Sequence, residues 1–107
     1  MDGERETKIE RPTKGERYRV TTPFTALVLI QWRAPMTTGG KKELPVGLEF
    51  MIDADPRPTA KGAWALPDPY DVWEKRLVSQ TDWDDEKYNG YYLDVAFDDL
   101  AQNCIRL

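Results

Sequence analysis

The sequence predicts a mainly β domain, α+β at the margin. It reads as a small curled antiparallel sheet or SH3-like barrel of about five short strands, with one inserted helix near residues 69–80. Three observations predict this. Phe24–Arg33 is the most apolar segment, rich in β-branched and aromatic residues, and Tyr91, Leu93, Val95 and Phe97 share one parity over Gly90–Phe97. Prolines and glycines punctuate the chain at short intervals. One stretch only, after Pro67, carries helix-start chemistry.

Tyr18-Arg19-Val20-Thr21 opens the first strand. Thr22-Pro23 and Ala34-Pro35 bracket the second, because a residue before proline is pushed toward extended geometry. Within it Phe24, Ala26, Val28, Ile30 and Trp32 share one parity, and the β-branched and aromatic content suits a central strand. Met36 to Glu43 contains Thr37-Thr38-Gly39-Gly40-Lys41-Lys42 and reads as a flexible loop. Leu44 to Ile52 reads as a turn into a strand, with Leu48, Phe50 and Ile52 alternating with Glu49 and Met51. Asp55-Pro56-Arg57-Pro58 is a turn, since proline lacks a backbone donor. Ala60 to Leu66 gives another strand, with Ala63 and Ala65 on one face and Trp64 and Leu66 on the other.

Asp68 is then the expected N-cap, Pro69 the first helical position and Asp71 a first-turn acid. Tyr70, Trp73 and Leu77 fall on one helical face, and a strand through Val72 to Val78 is the competing reading. Gln80 to Asn89 is a polar loop. Gly90 to Phe97 is a strand with Tyr91, Leu93, Val95 and Phe97 inward. A helical turn over Asp98–Ala101 and a short strand over Cys104–Leu107 complete the chain. Residues 1–17 include ten charged side chains and read as a flexible charged tail before a single globular domain, 18–107.

Composition removes whole classes of chemistry. There is no histidine and only one cysteine among 107 residues. Histidine-activated nucleophiles and most zinc sites are therefore excluded. Cys104 reads as a small buried hydrophobe, because a catalytic thiol needs a base or cation beside it. No dinucleotide fingerprint or phosphate loop is present, and the spacing of Thr37–Lys42 does not make one, so no cofactor is expected. The longest apolar run, Ala26–Ile30, is far short of the ~20 residues that cross a bilayer. Met1–Glu6 lacks an apolar leader core, so a cytoplasmic protein with no membrane association is expected.

Charge is unevenly placed. Residues 1–42 carry nine Lys/Arg and five Asp/Glu, and residues 43–107 carry six and fourteen. The acidic portion repels nucleic acid. The rival reading of a nucleic-acid-binding tail rests on Arg5, Lys8, Arg11, Lys14, Arg17 and Arg19, interleaved with acids.

The most suggestive local feature is Asp82-Trp83-Asp84-Asp85-Glu86. As a calcium loop it fails, since Lys87 stands where glycine is needed and Leu93 where a bidentate Glu is needed. Residues 82–99 nevertheless combine four Trp/Tyr side chains with seven acids against one lysine. Tyr and Trp concentrate binding energy at interfaces, and carboxylates steer a basic partner to them. If Tyr91 points inward, Tyr92 and Asp94 point outward together. Trp83, Asp84, Asp85, Tyr88, Tyr92 and Asp94 are thus the candidate partner-binding residues. Trp32, Trp64 and Trp73 read as core.

The expected function is a non-enzymatic protein-interaction domain with an acidic-aromatic surface and a basic protein partner; a small inhibitor or immunity-type protein is one concrete form. The alternatives are an enzyme working through carboxylates or a divalent metal and nucleic-acid binding through the tail. Self-association through an exposed sheet edge is a further possibility.

Overall fold

Alternating burial builds the sheet. A computed structural model describes residues 11–31 and 37–107. In chain order the elements are β1 (Arg17–Val20), β2 (Phe24–Ile30), β3 (Thr37–Leu44), β4 (Glu49–Ile52), β5 (Gly62–Asp68), α1 (Tyr70–Leu77), α2 (Gln80–Trp83), β6 (Tyr91–Ala96), α3 (Phe97–Asn103) and β7 (Cys104–Arg106). The seven strands among the described residues form one antiparallel sheet in the order β3-β2-β6-β5-β4-β1-β7, open at both ends. Of the two forms the sequence allowed, this is the curled sheet and not a closed SH3-like barrel.

The connection after β3 shows why the sheet must curl. Residues 45–48 carry the chain to β4, four positions along the order. In a flat sheet that distance is about 19 Å, at about 4.8 Å per strand. The connection turns on itself, the Leu48 N–H donating to the Pro45 carbonyl at 3.2 Å, so it cannot reach that far. It is tied to β1 instead: the Val20 N–H donates to the Leu48 carbonyl and the Gly47 N–H to the Val20 carbonyl, both at 2.9 Å.

Curling gives the sheet a concave inner face, and the core lies there. Val20, Val28, Phe50, Ile52, Ala65, Leu93 and Val95 are all buried on it. Leu77, Val78, Phe97 and Leu100, from α1, its C-cap and α3, join the same cluster. Burying each large apolar side chain contributes roughly 1.5–3 kcal/mol.

Several elements differ from expectation. The expected loop over Met36–Glu43 is largely strand β3. Its Gly39 lies against Ile30, where an added Cβ would meet the side chain at 3.0 Å, and Gly40 takes φ +90° beside a register shift opposite Val28 and Leu29. Asp68 is not a cap: it ends β5 and accepts from Arg17 Nη2 at 2.8 Å, while Pro69 holds the N-cap position of α1. The helix replaces the competing strand reading of Val72–Val78. The Gln80–Asn89 loop contains the short helix α2, capped by the Ser79 side chain, which accepts from the Asp82 N–H. Phe97, expected to end a strand, starts α3 and is buried all the same.

Residues 11–17, placed with the tail in the sequence reading, are tied to the body. Pro12 is fully buried, the Gly15 N–H donates to the Ile52 carbonyl, and the Arg11 guanidinium lies 5.0 Å above the Phe97 ring. Residues 1–10, and Trp32 with Arg33 at the end of the expected second strand, lie outside the described residues.

Candidate functional site

Strand alternation divides the chemistry between two faces. Tyr91 is 1% exposed and points into the core, so Tyr92 points out, as does Asp94. Directly opposed residues of an antiparallel ladder share a face. The register therefore assembles an outer patch across four strands: Leu27 and Leu29 on β2, Tyr92 and Asp94 on β6, Trp64 and Leu66 on β5, and Met51 on β4. These side chains are half-buried or exposed.

Trp64 is 41% exposed, correcting the core assignment made for it. Its ring lies 5.1 Å from that of Tyr92, tilted by 55°. Ala63 and Ala65 take the inner positions of β5, in the same core cluster as Leu77 of α1. Small side chains let the helix come close, and the large ones are displaced outward. Trp73, by contrast, packs partly buried against the core, with the Arg76 guanidinium 5.0 Å above its ring.

Asp94 is the chemical centre of the patch. It opposes Leu27 on one side and Trp64 on the other. Its carboxylate presses on Gly62, where an added Cβ would stand 2.6 Å from Oδ1 and 2.9 Å from the Val95 carbonyl oxygen. No described side chain hydrogen-bonds or ion-pairs with Asp94. Burial alone raises its pKa, because desolvation penalises the charged form and nothing offsets it. Burial likewise raises the Tyr92 phenol, with the Asp53 carboxylate adding to the effect.

A half-buried charge without a partner costs the fold stability, so Asp94→Asn is expected to raise the melting temperature at neutral pH. Because the folded-state pKa is raised, the difference should vanish on acidification below the ordinary carboxyl range, where Asp94 is protonated in both states. Thermal melts of the two proteins at neutral and acid pH check this.

The six residues singled out by sequence are not brought together. Tyr92 and Asp94 share the outer face. Trp83 and Tyr88 stack at 6.2 Å and pack against the core on the helical side. The Tyr88 hydroxyl donates to Glu74, itself buried in α1. Asp84 and Asp85 are exposed but spent locally: Asp84 accepts from Gln80 Nε2 and Asp85 from the Lys87 N–H, both at 2.8 Å. Trp64, Asp53 and Gly62 were missed; the opposite parity of Trp64 and Ala65 was the available signal.

The rival sites fare as follows. Among the described residues no group of acids, cysteine or histidine is arranged to hold a metal ion. Cys104 is buried, and burial followed by the Asp99 carboxylate pushes its thiol up to about 12. Of the cations assigned to a nucleic-acid tail, Arg17 pairs with Asp68 and Glu49, and Arg19 pairs with Glu49. No helix among the described residues is long and apolar enough to cross a membrane.

No family model matches the chain. Searches of curated proteins and of solved structures likewise give no match.

Proposed function

We propose that this chain is a non-enzymatic interaction domain that docks a basic protein surface on the outer sheet face around Trp64, Tyr92 and Asp94. The observation carrying this reading is the exposed Trp64 ring, tilted against half-buried Tyr92, beside an Asp94 carboxylate that no described side chain neutralises. Rigid aromatic rings with polar tips supply contact area at low entropic cost, and Asp94 and Asp53 supply direction to a cation. The surface is narrower than the acidic-aromatic segment suggested by sequence, and it substitutes Trp64 for Trp83 and Tyr88. A small inhibitor or immunity-type protein that masks a basic site remains the concrete form this function would take.

The test uses the full chain as bait in parallel with two double variants. A partner held by the native chain and by Asp84→Asn/Asp85→Asn, but lost with Trp64→Ala/Tyr92→Ala, is the expected outcome, with binding weaker at high salt. Retention by the Trp64→Ala/Tyr92→Ala protein would remove the face from consideration.

One observation favours the carboxylate-enzyme alternative: Asp94 and Asp99 line a common cleft. Against it, Asp99 accepts from Asn103 Nδ2 at 2.8 Å and the cleft lies open to water.

A further inference from the structure

The lower end of the outer face sinks into a depression. It is lined in part by small residues, Thr25, Gly62 and Ala96, together with Leu27. The register places Ala96 opposite Gly62 and Leu27 opposite Asp94, so these residues form a continuous patch across β2, β6 and β5. The volume is about 500 Å³. That is within the range of clefts that hold a ligand group or side chain.

Four charges line this space: Lys41 from β3, Lys61 just before β5, Asp94 from β6 and Asp99 from α3. None of them forms an ion pair among the described residues, although opposite signs face one cleft. Asp94 sits at the upper end, where Trp64 stands directly across the ladder. A guanidinium reaching Asp94 would therefore have both a carboxylate to grip and an indole beside it. The two lysines would repel an isolated cation, but they complement acids placed on either side of it.

We infer that this depression receives an arginine side chain flanked by acidic residues, presented on an extended segment of the partner. In an extended chain residues two apart point the same way, so an acid-x-Arg-x-acid pattern sets three charges against the cleft. The flanking acids meet Lys41 and Lys61, while the arginine meets Asp94. Arginine is favoured over lysine because its planar fork engages a carboxylate through two parallel hydrogen bonds. The inference rests on the proposed docking face and names one acid-flanked arginine, within the basic surface that docks there, as the group the cleft selects.

The test needs no knowledge of the partner. The full chain, labelled for amide NMR, is titrated to millimolar concentration with the blocked pentapeptide Glu-Gly-Arg-Gly-Glu and, separately, with the charge-inverted Lys-Gly-Glu-Gly-Lys. The expected result is a saturable shift confined to the amides around Lys41, Lys61, Gly62, Asp94 and Ala96, for the first peptide only. Asp94→Asn should weaken that binding by about tenfold, with the spectrum otherwise unchanged. Equal shifts with both peptides, undiminished binding to the Asp94→Asn protein, or no shift at millimolar peptide would each overturn the assignment. A partner lost with Trp64→Ala/Tyr92→Ala yet kept by Asp94→Asn would sink the cleft and leave the docking face standing.

Discussion

Raising the pH is expected to unfold this protein, with stability falling progressively from about pH 9 upward. The cause is three acids that the native state keeps protonated. Burial, then the hydrogen bond to Glu74, hold the Tyr88 phenol well above its ordinary range. Burial, then the neighbouring Tyr70 and Glu74, do the same for Tyr91. Burial lifts the Cys104 thiol to about 12.

In the unfolded chain these groups ionise at ordinary values, so that state gains stability with each step above them while the folded state gains none. Each group therefore costs about 1.4 kcal/mol per pH unit, and the two phenols together about 2.7 kcal/mol per unit above about pH 10. A domain with roughly 5–15 kcal/mol of net stability does not survive long on that slope. Far-ultraviolet circular dichroism and tyrosinate absorbance, followed together, should show coincident transitions. Smooth phenol ionisation near pH 10 with the sheet intact would show that Tyr88 and Tyr91 are open to solvent. The variant Tyr88→Phe should shed one group's share of the slope.

The second large effect concerns one hydroxyl. The Tyr70 hydroxyl accepts from the Tyr91 N–H at 2.9 Å and donates to the Tyr91 carbonyl at 3.1 Å, while the Tyr91 hydroxyl donates to the Tyr70 carbonyl at 3.0 Å. Their rings lie 4.6 Å apart. This double exchange fastens the start of α1 to the first residue of β6. Gly90 makes room for it: its φ is +106°, and an added Cβ would stand 2.9 Å from the Tyr70 oxygen.

Tyr70→Phe keeps the ring and removes both partners of the Tyr91 backbone. At about 1–2 kcal/mol for each buried group left unsatisfied, the expected loss is about 2–4 kcal/mol. The melting temperature should fall by roughly 10 °C or more. A fall of a degree or two would mean that water replaces the hydroxyl. Tyr91→Phe, which removes a single donor, should cost less.

What could be read from the sequence was whatever a two-residue period records. β2 and β6 bury one parity and leave the other half-buried or exposed, so Val28, Ile30, Leu93 and Val95 declared themselves. The outward direction of Tyr92 and Asp94 followed from the same period. β3 escaped because Thr37-Thr38-Gly39-Gly40-Lys41-Lys42 has no apolar alternation; its place comes from pairing with β2. Trp64 escaped because hydrophobicity sends tryptophan inward, whereas the two-residue period of β5 buries Ala63 and Ala65 and turns Trp64 out. Asp68 was misassigned because its cap chemistry and its ion pair with Arg17 are indistinguishable until the distant β1 is in place. The interaction segment was misread for a related reason. Neighbours in the chain were grouped as neighbours in space, but buried Glu74 of α1 draws Tyr88 to the helical side.

One edge of the sheet among the described residues, β3, has a consequence for how copies of the molecule meet in concentrated solution. Its Lys41 and Lys42 point to opposite faces, and the register shift beside Gly40 bends its backbone. Two such borders brought side by side would set like charges against each other above and below the plane, with mismatched hydrogen-bond spacing. Growth into a ribbon through this edge is thereby discouraged.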